Sequence, residues 1–318
     1  MKIVDFSAAH TCEAMKLALM NYEEERIFVK QLPKVDSVPD LSKFVDNGLG
    51  VAAFDDTRML GFLCCHKPWD NAFNSPVRGT FSPIHAHGAV TQNRGKIYKM
   101  LYQAAAEKWV RSGVLSHSIG CYAHDKALID ALFSYGFGLR CVDAIRGMDE
   151  IDVNGRDEGA GIEFFELCKE SIAEIRDLRR MLVEHLGASP SFMYSPPEVF
   201  EKWLLRAEER SSRVFAAAKD SKLIAFVEVM NDGENFATEA EDMLNICGAF
   251  CLPQYRGMGV FQSLLNNAIV TLKAEGYARL GVDYESFNPT AAGFWAKHFT
   301  AYTSGLVRRI DSSVLLRK

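Results

Sequence analysis

The residues best suited to chemistry lie in one run, Cys247-Gly-Ala-Phe-Cys-Leu-Pro-Gln-Tyr-Arg-Gly-Met-Gly259, and at the start of the helix expected after it. Gln254, Tyr255, Arg256, Gly257, Met258 and Gly259 make a short glycine-containing turn. A strand, a tight turn and a free helix N-terminus direct several backbone N–H groups at one point, which suits a phosphate or pyrophosphate. Glycine lets the backbone approach the anion closely, and the helix dipole favours negative charge there. On these grounds alone the turn is equally a strand-to-helix connection without a ligand.

The elements that must position this turn are legible on either side. Asn245 to Leu252 is apolar enough for a buried strand, and Pro253 stops it because proline has no N–H for a ladder bond. After the turn, Val260, Phe261, Leu264, Leu265, Ala268, Ile269 and Leu272 recur at helical spacing up to a stop at Gly276.

The order of residues carries more than the shape. Gln254-x-x-Gly257-x-Gly259 after Leu252-Pro253 resembles the acetyl-coenzyme A signature of the GNAT acetyltransferases, Gln/Arg-x-x-Gly-x-Gly/Ala. Downstream, Asn288-Pro-Thr-Ala291-Ala-Gly-Phe294-Trp295 resembles that family's second motif, Asn-x-x-Ala-x-x-aliphatic-aromatic. Two motifs in the right order are more specific than either alone. The resemblance implies a mixed α/β (α+β) fold, a twisted sheet flanked by helices, with acetyl-CoA as co-substrate and no metal. It implies that Gly257, Met258, Gly259 and Val260 bind the pyrophosphate, with Leu252 and Gln254 of the same turn and Trp295 of the second motif also in the cofactor site. Backbone amides at or near Cys251 would polarise the thioester carbonyl. Arg256 adds charge to the anion or is a solvated surface arginine. Asn288 contacts the pantetheine arm or caps the helix before Pro289.

Such an enzyme lets an amine attack the thioester directly, so it must orient two substrates, take a proton from an ammonium and return one to a thiolate. Many relatives carry a tyrosine where this chain has Trp295, which cannot donate a proton usefully. Tyr284 and Tyr302 are the substitutes, each otherwise a packing tyrosine. The base candidates are Glu228, Asp283 or Glu285, and Glu241 or Asp242. Strand alternation sets Glu228 on the face opposite Val227 and Val229, where an outward, solvated carboxylate is the ordinary expectation. The residues alone do not choose between them.

The first half repeats the pattern. Gln92-x-x-Gly95 follows a strand expected over Thr80 to Val90 and precedes a helix bearing Tyr98, Leu101, Tyr102, Ala105 and Trp109. It resembles a second, degenerate GNAT domain, with Ile97 where the cofactor pattern wants Gly or Ala; a β-branched side chain there crowds a pyrophosphate. The expected organisation is a degenerate domain over 1–150, an acidic, glycine-rich linker over 151–161 and the working domain over 162–318, with a last pair of strands between Thr300 and Leu316.

Composition narrows the partners. A net charge of −5 argues against nucleic acid, whose phosphates need a basic face. No run approaches the roughly 18 apolar residues of a membrane helix, and the start of the chain reads as a strand, so the expected location is cytoplasmic. The eight cysteines include no Cys-x-x-Cys pair and read as small hydrophobes in a reducing compartment. His85 and His87 are too few for a structural zinc site. The reading is an acetyl-CoA-dependent N-acetyltransferase acting on a primary amine of a small molecule or peptide, as a monomer or homodimer. The alternative is a non-catalytic acyl-CoA-binding or sensing protein.

Overall fold

The structure, a computed structural model, describes residues 1–153, 161–209 and 212–316. Most of the expected linker falls at 154–160, outside the described residues. Two compact units divide the chain: Met1–Asp143 with the segment from Ala301 onward, and Ala144–Thr300.

In the first unit the chain runs through β1 (Lys2–Asp5), α1 (Thr11–Phe28), α2 (Ser42–Val45), β2 (Val51–Asp55) and β3 (Arg58–Leu63). It continues as β4 (Gly79–Ser82), β5 (His87–Ala89), α3 (Arg94–Arg111), β6 (Ser116–Tyr122), α4 (Lys126–Phe133) and β7 (Gly138–Gly147), which crosses the unit boundary. Strands β1, β2, β3 and β5 form one antiparallel sheet. The single strand expected over Thr80 to Val90 is broken. Pro83 offers no N–H, the Ala86 N–H turns back to the Pro83 carbonyl at 2.8 Å, and the two pieces pair differently, β4 with β6 and β5 with β3.

The second unit contains β8 (Ile162–Glu166), α5 (Arg176–Gly187), α6 (Pro197–Glu209), β9 (Arg213–Lys219), β10 (Lys222–Met230), β11 (Met243–Cys251), α7 (Val260–Ala274), β12 (Arg279–Glu285) and α8 (Pro289–His298). The sheet order is β8-β9-β10-β11-β12, antiparallel except for the parallel pair β11–β12. Asp220 and Ser221, both at positive φ, close the β9–β10 hairpin in the two-residue form that matches strand twist.

Both faces of this sheet are covered. On one, Val227, Val229, Ile246 and Val282 pack with Leu264, Leu265, Ala268 and Leu272 of α7. Leu264 and Leu265 are fully buried, each contributing about 1.5–3 kcal/mol by removal from water. On the other face, Val214, Ala216, Phe226 and Phe250 pack with Ile172, Ile175 and Leu178.

The last pair of strands is β13 (Thr300–Ala301) and β14 (Thr303–Arg309). β14 does not extend the second unit's sheet. It pairs antiparallel with β6 along its whole length and with β7 at Gly138–Cys141, so the chain's end completes the first unit. A strand's own residues do not say which sheet edge receives it, so this placement was beyond reach from sequence. Among the described residues no helix is long and apolar enough to cross a membrane.

Candidate cofactor and active site

The site is built on β11. Beside β10 it stays paired from Asn245 to Cys251, but beside β12 only from Met243 to Ile246. The next residue, Cys247, is a bulge: Glu228 faces Gly248 and Val229 faces Ile246, leaving Cys247 without a partner on β10. A bulge bends its strand, and here the bend falls where β11 and β12 separate.

Past the gap, Pro253–Tyr255 makes a turn of 3-10 helix, and Gly257 and Gly259 follow at φ of +76° and +87°. Only glycine adopts those values without strain. Gly259 is the N-cap of α7 and no side chain caps that helix, so the first amides, at Val260, Phe261 and Gln262, have no intrahelical acceptor. The Gln262 side chain is engaged elsewhere, donating to the Asp152 carbonyl at 2.8 Å. Arg256 folds back over the turn: Nε donates to the Cys251 carbonyl at 2.9 Å and the guanidinium lies 5.2 Å from the Phe250 ring centre.

The turn opens on a cavity of about 370 Å³, walled by Ala249–Cys251, the glycine turn, Phe261 and the α8 residues Phe294 and Trp295. Phe261, Phe294 and Trp295 meet edge to face at 5.0–5.9 Å. At its polar end, His185 Nε2 of α5 lies 3.4 Å from Asn288 Oδ1 and 3.3 Å from Thr290 Oγ1. Asn288 also accepts from the Ala291 N–H, capping α8 ahead of Pro289. Free amides, positive-φ glycines and an apolar channel fit an acyl thioester carried on a pyrophosphate.

Residues 176–299 match the model of the acetyltransferase (GNAT) family. The second unit carries a GNAT acetyltransferase domain. The fold is shared over nearly the whole chain with a GCN5-related N-acetyltransferase from Sphaerobacter thermophilus, at 13% identity and a TM-score of 0.60, covering 98% of each chain. A tandem GNAT protein from the clavulanic acid biosynthesis pathway is similar at 14% identity and a TM-score of 0.50, over 97% of this chain and 98% of that one. No curated protein matches the chain in sequence.

Of the residues expected to bind cofactor, Cys251, Arg256, Gly257, Gly259, Asn288 and Trp295 line the GNAT domain's cavity. Leu252, Gln254, Met258 and Val260 do not: Gln254 and Met258 are exposed on the turn, and Val260 is buried in the core beneath it. Burial pushes the Cys251 thiol up to about 11, against the pull of Arg256, so at neutral pH it is no nucleophile.

The acid–base candidates part company. Glu228 is not the solvated carboxylate that strand alternation suggests. Its face is the outward one, but α5 and α6 cover it, leaving the residue 1% exposed and bonded to Arg179 and Trp203. Burial raises its pKa, with Arg179 pulling the other way. Asp283 and Tyr284 follow Val282, the last β12 residue paired to β11, and so stand where the strands separate. Asp283 is exposed and Tyr284 half-buried, its pKa raised by burial. The Cys247 thiol is pushed up first by burial and then by Glu228, with Asp283 adding to it, which sets both carboxylates around the bulge. Tyr302 is elsewhere: fully buried in the first unit, it donates its N–H to the Asp143 carbonyl.

Arg179, Trp203, His185 and Thr290 were not singled out in the sequence. His185 and Asn288 are 103 residues apart, and nothing local marks either as the other's neighbour.

Proposed function

We propose that the C-terminal half, expected over 162–318, is an acetyl-CoA-dependent N-acetyltransferase that acts on a primary amine of a small molecule or peptide by direct attack. The observation that carries this reading is the uncapped start of α7, with Gly257 and Gly259 at positive φ, opening on the aromatic-walled cavity. When bound, acetyl-CoA supplies an acetyl group already activated as a thioester. The Val260, Phe261 and Gln262 amides hold its pyrophosphate, and Arg256 stands beside them. Phe261, Phe294 and Trp295 exclude water from the channel. Asp283 takes the proton from the ammonium. Tyr284, a phenol protonated at neutral pH and raised further by burial, has one to give to the departing thiolate. We assign the first half no cofactor.

A second reading has its own support. Trp295 lies in a buried aromatic cluster and Tyr302 in the other unit, so neither offers a proton in the cavity, as suits a protein that binds acyl-CoA without turning it over. Thiol release from acetyl-CoA, followed with a panel of primary amines beside calorimetric binding, separates the two. A transferase releases thiol with at least one amine, and Asp283→Asn lowers the rate while leaving binding intact. Binding without release from any amine sustains the sensor.

A further inference from the structure

Where β11 leaves β12, the strand is held from behind by a buried ion pair that the cavity does not include. Arg179 Nη1 donates to Glu228 Oε2 at 3.0 Å and also reaches the Cys247 carbonyl, 3.4 Å from Nη1 and 3.5 Å from Nη2. Trp203 Nε1 donates to the same Glu228 oxygen at 3.2 Å, and the Arg179 guanidinium lies 4.6 Å from the Trp203 ring centre. Gly248 makes the reach possible, because a Cβ there would collide with Arg179 Nη1.

Side chains from α5, α6 and β10 thus converge on the bulged peptide. A buried pair is a weak source of stability, since desolvation offsets its attraction. What this one supplies is direction: a planar guanidinium bonded through both Nη atoms and lying against an indole is restricted in orientation. It draws the Cys247 carbonyl toward α5. The trans peptide is planar, so the Gly248 N–H is turned to the opposite side.

We propose that Arg179, Trp203 and Glu228 form a positioning device for acyl transfer, locking the β11 bulge so that its amides keep the direction in which they polarise a thioester carbonyl. This rests on the reading of the second unit as an acetyl-CoA-dependent transferase. Arg179 and Trp203 are positioning residues that act through the backbone. Glu228 is the fixed anion that orients them.

The test is the infrared carbonyl stretch of carbonyl-labelled acetyl-CoA, free and bound to the full chain, with affinity measured by calorimetry. Polarisation by backbone amides lowers the stretch on binding to the native protein. Arg179→Met with Glu228→Met removes both charges together, which buried pairs tolerate. Arg179→Lys serves if that protein does not fold, since it leaves Glu228 compensated but lacks the fork that reaches Cys247. The expected result is native affinity with the stretch returned to its value in free acetyl-CoA. A folded variant that keeps the native shift overturns the proposal, and so does one that loses affinity together with the shift. Native protein that binds with no shift overturns the device alone. Native protein that does not bind acetyl-CoA overturns the underlying reading and the device with it.

Discussion

The two halves solve the same crossing, from strand through turn to helix, in two different ways, and we propose that one admits a cofactor and the other shuts it out. In the second unit seven residues, 252–258, separate the end of β11 from the N-cap of α7; in the first only three, 90–92, separate β5 from Asn93, the N-cap of α3. The longer turn carries two glycines at positive φ and leaves the helix amides open. The shorter one has Asn93 at φ +57°, and the Arg94 N–H already bonds to Thr91. Arg94 also ion-pairs with Glu24 at 2.7 Å and with the buried Asp125 at 3.5 Å, placing two carboxylates where the other half would receive an anion. The gap between strands differs too. A one-residue bulge opens it in the second unit; in the first, the His87 ring reaches from β5 to the Gly120 carbonyl of β6 at 2.6 Å. On that proposal turn length and the charge set around it, more than any one residue, decide which half can hold a pyrophosphate.

The largest effect that would sharpen this contrast is acid lability. Burial lowers the pKa of His85 to about 3 and of His87 and His117 to about 4, all in the first unit. A histidine with a depressed folded pKa contributes stability that is complete above its unfolded pKa, near 6.5, and lost as pH falls toward the folded value. At pH 5 each gives up about 2 kcal/mol. Hydrogen exchange at pH 7 and pH 5 should show protection lost first in β5, β6 and α3; loss beginning in β10 and β11 would contradict it.

Next in size, Arg94→Ala strands Asp125 as a buried, unpaired carboxylate and should cost about 2–3 kcal/mol, read as a lower denaturant midpoint. It should not create a cofactor site, because the short turn remains. Smallest is Gly259→Asn, which copies Asn93 of the first half. Asparagine tolerates the left-handed region, so the loss should stay near 1 kcal/mol while CoA affinity falls. Unchanged affinity would mean that the approach of the backbone to the anion is not what Gly259 serves.

The glycine turn, its flanking strand and helix, and the Asn288 helix were legible because each is local: a proline stop, a 3.6-residue apolar period, a cap before proline. The repeat was legible too, but its register was not. Aligning Gln92 with Gln254 sets Ile97 against Gly259, whereas the structure gives the N-cap role to Asn93 and buries Ile97 in the core under α3. A shortened loop shifts the correspondence, and the shift leaves no mark in the residues. Glu228 and Tyr302 were opaque for a related reason. Whether a strand's outward face meets water, and which sheet a last strand joins, depend on segments far along the chain.

The central claim is that one half binds the cofactor and the other does not. Calorimetry of acetyl-CoA against the intact chain and against Gly259→Ile tests it most directly, since a β-branched residue at φ +87° cannot keep the turn. One site, lost in the variant, is the predicted result. Two sites, or one that survives the substitution, would show that the first half is not silent and that its short, acid-guarded turn does not exclude the cofactor.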